Sequence, residues 1–164
     1  MQHNIVGFNN DITQTKHFHL NDVDKTISEL SNAKTVKWQK YGYAEWANYY
    51  ADPDNVKRIG DLVYTKELFD QSKTAVHEAS SSIDIVVYDC ANRSYTNLTS
   101  INYSDRMGTG STTSSKNEKP QVVPIVVGTV AENGYNFACH FAPYVSPYNR
   151  FRKNIHNKQF YKSS

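Results

Sequence analysis

Two segments of the chain have the spacing of one-sided helices. Residues 21–30 offer Asn or Asp at the cap position, and Val23, Ile27 and Leu30 then fall on one face. Apolar residues also recur at helical spacing across residues 65–80, while most charged residues there lie elsewhere around the helix. The pattern therefore predicts two short helices, each with a small apolar side that packs on a sheet.

Other segments alternate apolar and polar residues and predict strands. Alternation at residues 35–39 leads into YGYAEWANYY at 41–50, which is predicted to be an aromatic turn. The segment ADPDN, with Pro53 between two acidic residues, predicts a break that separates the N-terminal part from the rest. The segment SIDIVVYDC predicts a further strand, and the Gly- and Ser-rich residues 108–120 predict a long loop.

The strongest local signal is the pair Asn133-Gly134. It lies in AENG, between the β-rich runs VVPIVVGTV and YNFACHFAP. Asn-Gly is the preferred pair for a tight turn between antiparallel strands. The pattern predicts a hairpin at this position, with either a tight Asn-Gly turn or all of AENG as its loop.

Together these elements predict an α+β, β-rich fold, with an antiparallel sheet or β-sandwich and two short helices. The sequence has neither the strand-helix alternation nor the Gly-rich phosphate turn of a parallel α/β protein. Its 164 residues suit a single domain, 1–164, with residues 1–60 as an N-terminal helix-strand extension in an alternative division. The 12 Tyr, 7 Phe and 2 Trp favour a folded chain although the mean hydropathy is -0.67.

Charge is unevenly distributed along the chain, although the formal net charge is only +2. No acidic residue follows Glu132, whereas several basic residues do: Arg150, Arg152, Lys153, Lys158 and Lys162. No apolar run approaches the roughly 18 residues that span a bilayer, and the first residues lack the pattern of a signal peptide. Secretion and a host-cell cytoplasm both remain compatible with the sequence.

Cysteines and Asn-X-Ser/Thr triplets also bear on the compartment. Cys90 and Cys139 lie at the ends of predicted strands, and both one disulfide bond and two buried free thiols fit their spacing. Triplets of the glycosylation type begin at Asn92, Asn97 and Asn102, which would suit an exposed secreted segment.

Histidines form the candidate metal site. In an extended strand His17 and His19 would project from one face, and His140 would supply a third ligand for zinc or another divalent metal. The His-hydrophobe-His pair also resembles that of rolling-circle nucleases, in which the histidines hold a metal and a Tyr attacks DNA. Because the chain offers no Ser-His-Asp order, phosphate loop or catalytic carboxylate pair, we expect a non-enzymatic protein without a cofactor outside this metal site.

Near the C-terminus, HFAPYVSPYNRFRK interleaves aromatic rings with cations. Two prolines prevent a helix, so the rings are presented from an extended segment or turn. Tyr suits a membrane interface, a ring face attracts quaternary ammonium, and Arg and Lys bind phosphate. The predicted lipid-binding or partner-binding residues are Tyr144, Ser146, Tyr148, Arg150, Phe151, Arg152 and Lys153.

This segment resembles the small β-sandwich cytolysins. Pro143, Tyr144, Tyr148 and Phe151 are similar to the aromatic run of actinoporins, and the same stretch with Ser146 and Asn149 is similar to that of aegerolysins. The resemblance extends over about residues 65–161. It implies a β-sandwich that binds membranes.

Three functional hypotheses follow. The first is a non-enzymatic protein that binds lipid headgroups or a membrane surface, with a cytolysin as its specific form. The second is a viral or mobile-element accessory protein that binds a protein partner, for which the aromatic run at 41–50 would also provide anchors. The third is nucleic-acid binding by the basic C-terminal segment, or a metal-dependent nuclease of the HxH type. The alternative without a binding function is a loop that caps the core and carries solvated cations.

Overall fold

The computed structural model describes residues 22–35, 37–71 and 80–141. Helix α1 covers residues 22–32 and helix α2 covers Val130–Asn136. The strands are β1 (Gln39–Ala44), β2 (Ala47–Ile59), β3 (Leu62–Gln71), β4 (Ser81–Asp89), β5 (Ser94–Tyr103), β6 (Thr112–Lys116) and β7 (Val123–Pro124). A 3-10 turn lies at Arg106–Gly108, and a π-helix at Phe137–Phe141 follows α2.

The strands form one antiparallel sheet. Its order is β1-β2-β3-β4-β5-β6, so that each strand pairs with its neighbour in sequence, and β7 pairs with the start of β5. The predicted α+β, β-rich class, with an antiparallel sheet and two short helices, is confirmed. None of the helices in the described ranges is long and apolar enough to cross a membrane.

The two helices cover opposite faces of the sheet. On the α1 face, Leu30 packs with Tyr64 and Ile85. On the α2 face, Tyr135 and Ala138 of the helical segment pack with a second buried group from the central strands, made of Val63, Val86 and Tyr88. Because successive strand residues point to opposite faces, β3 and β4 contribute side chains to both clusters.

Contacts at the end of α1 fix it to the sheet. The ammonium group of the buried Lys66 donates a hydrogen bond of 2.6 Å to the carbonyl oxygen of Ala33. Burial lowers the pKa of this amine. Lys57 on β2 forms an ion pair of 2.9 Å with Glu29 of α1. The helix is therefore held by its apolar side and by polar contacts near its C-terminal end.

A disulfide bond joins Cys90, just after β4, to Cys139 in the π-helix. The S–S distance is 2.04 Å and the Cα atoms are 5.6 Å apart. Between the two alternatives left open by the sequence, the structure shows the bond. The Tyr135 hydroxyl donates to the Cys90 carbonyl oxygen at 2.8 Å, which adds a second link between α2 and the sheet.

The prediction of a helix at residues 65–80 is wrong. Residues 62–71 form β3, at the centre of the sheet, and residues 72–79 lie outside the described residues. Helices cover both faces, and all residues from Val63 to Leu68 are buried. A strand buried on both faces loses the alternation of apolar and polar residues, which is why its pattern was read as helical.

The predicted hairpin around Asn133-Gly134 is also wrong, because this segment is helix α2 followed by the π-helix. Gly134 does not adopt the left-handed conformation that a tight Asn-Gly turn requires. A Cβ atom at this position would overlap the hydroxyl oxygen of Tyr88. The glycine therefore allows the helix to pass close to the sheet.

Three predicted irregular segments contain strand structure. The run at 41–50, predicted as an aromatic turn, belongs to β1 and β2 except for the turn at residues 45–46. The ADPDN segment lies inside β2, where the pairing with β3 shifts between Ala51 and Val56. The buried Asp52 accepts hydrogen bonds at this bulge from the Asp54 amide and the Asn55 side chain. Pro53 fits because it lies in the unpaired part of the strand. Residues 108–120, predicted as a loop, include β6.

Candidate functional site

A pocket of about 330 Å³ lies between the α2 face of the sheet and the start of α2. We call it the aromatic pocket. Its ring-bearing residues are Tyr41, Tyr49, Phe69, Tyr88 and Tyr95, and its carboxyl-bearing residues are Glu67 and Asp84. Pockets that combine apolar walls with a few convergent polar groups are the usual ligand sites of proteins.

Strand register brings these side chains together. Tyr49 pairs with Phe69 across β2 and β3, and Glu67 pairs with Asp84 across β3 and β4. Directly paired residues of antiparallel strands project on the same face. Thr65, Glu67 and Phe69 alternate along β3 and therefore all point to the α2 face.

Glu67 is the most enclosed polar group of the aromatic pocket. It is buried, and its carboxyl group accepts hydrogen bonds from Tyr41 at 2.7 Å, Thr65 at 2.7 Å and Tyr88 at 2.9 Å. Burial raises the pKa of Glu67, and the three hydroxyl donors oppose this effect without cancelling it. The side chain is thus held rigidly at the base of the pocket.

Asp84 is the second carboxyl group and is half-buried. Burial raises its pKa, while neighbouring Ser100, Ser82 and Asn97 lower it by a smaller amount. The Asn97 side-chain amide donates to Asp84 Oδ2 at 3.2 Å. No cationic side chain in the described ranges forms an ion pair with Glu67 or Asp84.

The phenol groups of Tyr41 and Tyr88 remain protonated over the physiological range. Burial, followed by the nearby Glu67 carboxylate, raises both pKa values well above 10.0. Both hydroxyls therefore act as fixed donors to Glu67. The pocket offers aromatic surface and carboxyl oxygens, without a positively charged group from the described residues to balance them.

An aromatic cluster continues from the pocket to the protein surface. Tyr49 contacts Phe69 edge-on, with ring centroids 5.2 Å apart, and Phe69 contacts Trp46 in the same manner at 6.2 Å. Trp46 lies in the turn between β1 and β2 and is 46% exposed. Tyr41, at 6.1 Å from Tyr49, continues the cluster in the other direction.

Most of the residues predicted as sites from the sequence lie outside the described residues. These are His17 and His19, and Tyr144, Ser146, Tyr148, Arg150, Phe151, Arg152 and Lys153. Their metal-binding and partner-binding roles stay predictions. His140 is described and is exposed in the π-helix, where its ring contacts Tyr135 edge-on at 6.0 Å. Within residues 22–141, as far as described, no group of three or more His, Cys, Asp or Glu side chains is placed to hold a metal ion.

Sequence reasoning missed the carboxyl groups of the aromatic pocket. Glu67 lies away from the apolar side of the helix predicted at residues 65–80, and Asp84 lies in the predicted strand SIDIVVYDC without an assigned role. The available signal was the alternation Thr65-Glu67-Phe69, which is strand-like but was obscured by the buried residues between them. Two of the five aromatic residues of the pocket, Tyr41 and Tyr49, lie within the run 41–50, which the sequence indicates as a source of interface anchors.

One protein family and several solved structures are similar to the chain. The family model described as surface-adhesin protein E matches residues 38–140. A crystal form II structure of Haemophilus influenzae protein E is 16% identical; the match covers 66% of this chain and 98% of that chain, with a TM-score of 0.48. Protein E from non-typeable Haemophilus influenzae is 17% identical, with 66% and 80% covered and a TM-score of 0.47. No curated protein matches the chain significantly.

The family match corrects the resemblance drawn from the C-terminal segment. It places the chain with surface adhesins rather than with actinoporins or aegerolysins, so the prediction of a β-sandwich cytolysin is wrong. The aromatic and proline residues behind that resemblance begin at Pro143, beyond the matched residues 38–140. A short motif of Pro and Tyr recurs easily in a Tyr-rich chain, which explains the false resemblance.

Proposed function

Because the chain belongs to the surface-adhesin protein E family and is thus a binding protein, we propose that it attaches to a protein on a host surface. The contact surface in this proposal consists of Trp46, Phe69 and Tyr49 together with the aromatic pocket. We call this set the binding surface. The proposal keeps the hypothesis of a protein partner, but for a surface adhesin instead of a viral or mobile-element accessory protein.

Exposure of Trp46 is the observation that carries the proposal. Ala44 pairs with Ala47, so that Trp46 lies in the tight turn of the β1–β2 hairpin. The Phe69 ring packs edge-on with the indole and holds it in place. A large ring that is held in place and still exposed loses little conformational entropy on binding, and Trp and Tyr are the most common energetic anchors of protein interfaces.

The disulfide bond is consistent with a surface location. Cys90 and Cys139 are bonded, and such bonds persist mainly in oxidising compartments such as the cell exterior. The bond also fixes α2 beside the aromatic pocket, so the binding surface is preorganised. Preorganisation increases affinity because fewer groups must be ordered when the partner binds.

Adhesion to fixed epithelial cells tests the proposal. We expect the full chain to bind saturably, and Trp46→Ala to lower the affinity about 30-fold, which corresponds to ~2 kcal/mol for an interface anchor. Met107→Ala is the matched control, because Met107 is 42% exposed, close to the 46% of Trp46, and lies in the 3-10 turn packed on the α1 face. The control should bind within twofold of the unmodified protein.

Two further arms make the cell experiment decisive. Protease treatment of the fixed cells should abolish binding if the partner is a protein, and binding that survives this treatment would contradict a protein partner. Equal losses for Trp46→Ala and Met107→Ala would contradict the binding surface. The Tyr144→Ala/Tyr148→Ala variant, in the same assay, tests the prediction that the C-terminal aromatic segment contributes.

A further inference from the structure

We propose that the aromatic pocket binds an alkylammonium group. The group could come from a lysine side chain of the partner or from a free amine, since both present the same chemistry. The inference deepens the proposed function by assigning a ligand class to the pocket, and it rests on the proposed function in treating the pocket as part of the binding surface.

Size and lining of the pocket suit a small cation with an alkyl chain. Its volume of about 330 Å³ lies at the lower end of the range for small-molecule sites. Five aromatic residues contribute to its walls, and the negative face of an aromatic ring attracts an ammonium ion. The alkyl stem would pack against the same rings, as lysine stems do on apolar surfaces.

Carboxyl groups determine the sign of the charge that the pocket accepts. Glu67 accepts three hydroxyl hydrogen bonds, and Asp84 lies opposite it across β3 and β4. The described residues provide no cation to pair with either group. A bound ammonium would supply the missing positive charge, whereas a phosphate or carboxylate ligand would be repelled.

Hydrogen-bonding geometry favours an ammonium at the Asp84 side of the pocket. Both oxygens of Glu67 are occupied, Oε2 by Tyr41 and Oε1 by Thr65 and Tyr88. Asp84 Oδ2 accepts from Asn97, whereas Asp84 Oδ1 is buried and accepts no hydrogen bond within the described residues. Oδ1 is therefore the carboxyl oxygen left to accept from a ligand. We infer that the ammonium donates to Asp84 while Glu67 acts through its charge at longer range.

Titration of the ¹⁵N-labelled full chain with n-butylammonium chloride, followed by NMR, tests the inference. We expect saturable shifts at the amides of β3 and β4 around the pocket. The neutral 1-butanol, with the same number of heavy atoms, should bind at least 10-fold more weakly. Nα-acetyl-lysine N-methylamide and its norleucine counterpart form a second pair, in which the terminal ammonium group is removed and the alkyl chain is kept.

Single substitutions test whether the Asp84 carboxyl group contributes to n-butylammonium binding. Asp84→Asn should weaken n-butylammonium binding at least fivefold, whereas Asp61→Asn, which makes the same change at an exposed turn residue, should leave it unchanged. Circular dichroism and the dispersion of the NMR spectrum establish that Asp84→Asn is folded. Tyr95→Leu removes one ring of the wall without touching Glu67 and should also weaken binding.

The affinities of the lysine amide and of n-butylammonium distinguish a lysine side chain from a free amine as the ligand. Tighter binding of the lysine amide than of n-butylammonium supports a lysine presented by a polypeptide, and equal binding supports a free amine. Absence of saturable shifts, or equal binding of n-butylammonium and 1-butanol, overturns the inference. If the protein adheres to cells through Trp46 but binds no alkylammonium ion, this inference is overturned and the proposed function stands. If it binds the ion but does not adhere to cells, the proposed function is overturned and the ligand class of the pocket stands.

Discussion

Glu67 illustrates how one buried carboxyl group organises a site. Its three hydroxyl donors come from three different strands, β1, β3 and β4, so it connects the centre of the sheet to its β1 edge. Burial nevertheless raises the pKa of Glu67, because loss of water outweighs the three hydrogen bonds. Holding the ionised group in the fold therefore costs stability, which is common at functional sites.

Glu67→Gln should change how stability depends on pH. Because the folded-state pKa of Glu67 is raised above its ordinary value of 4.5, the native state binds more protons than the unfolded state in the interval between the two pKa values. The contribution of Glu67 to stability consequently falls as the pH rises through this interval and is lowest above it. The free energy of unfolding of Glu67→Gln, relative to the unmodified protein, should therefore increase from pH 4 to pH 7.

Urea denaturation at several pH values measures this difference. Glu118→Gln is the control, because Glu118 is an exposed loop residue of the same type. A constant difference between Glu67→Gln and the unmodified protein from pH 4 to pH 7 would show that burial of Glu67 does not raise its pKa.

Gly134 is the residue that allows α2 to approach the sheet. Gly134→Ala would place a methyl group against the Tyr88 hydroxyl, so either the helix or Tyr88 must move. We expect a loss of about 1–3 kcal/mol in the free energy of unfolding, as for other overpacked sites. Asn133→Ala, on the exposed side of the same helix, should change it by less than about 0.5 kcal/mol. A stable Gly134→Ala variant would contradict the close approach.

At the scale of elements, prediction succeeded where the local pattern of apolar residues matches the element that forms. Helix α1 was predicted at residues 21–30 and lies at 22–32, and β4 was predicted in SIDIVVYDC and lies at Ser81–Asp89. Strand β3 and helix α2 were mistaken because long-range contacts determine them. Burial on both faces removed the alternation of β3, and the Asn-Gly pair of α2 serves packing rather than a turn.

The disulfide bond contributes to stability by joining two elements that are distant in sequence. It connects the end of β4 to the π-helix, and 49 positions separate Cys90 from Cys139. A loop of this length corresponds to about 4 kcal/mol of lost chain entropy in the unfolded state. The Cys90→Ser/Cys139→Ser variant should therefore unfold at a clearly lower urea concentration, and a reducing agent should reproduce the change in the unmodified protein.

Alkylation with iodoacetamide before and after reduction provides the accompanying check. Two thiols should react only after reduction and unfolding. Thiols that react fully without a reducing agent, or an unchanged urea midpoint in the double variant, would contradict a stabilising disulfide bond.

At the scale of the molecule, only part of the binding surface can be predicted from the sequence. The aromatic run at residues 41–50 could be recognised as an interface candidate because its residue types are typical of interfaces. The aromatic pocket could not, since Tyr41, Glu67, Tyr88 and Tyr95 meet only when four strands adopt their register and α2 lies across them. The family could not be identified from the sequence, because the Pro and Tyr motif behind the cytolysin resemblance, which begins at Pro143, lies beyond the matched residues 38–140.

Site-specific photocrosslinking on fixed epithelial cells tests the binding surface most directly. Trp46→p-benzoylphenylalanine places a photoreactive ring at the hairpin turn, and Met107→p-benzoylphenylalanine places the same group on the 3-10 turn against the α1 face. After irradiation, we predict a discrete crosslinked species from position 46 that protease treatment of the cells abolishes, and only background from position 107. Equal yields of the crosslinked species from both positions, or crosslinking from position 107 alone, would contradict attachment through the binding surface.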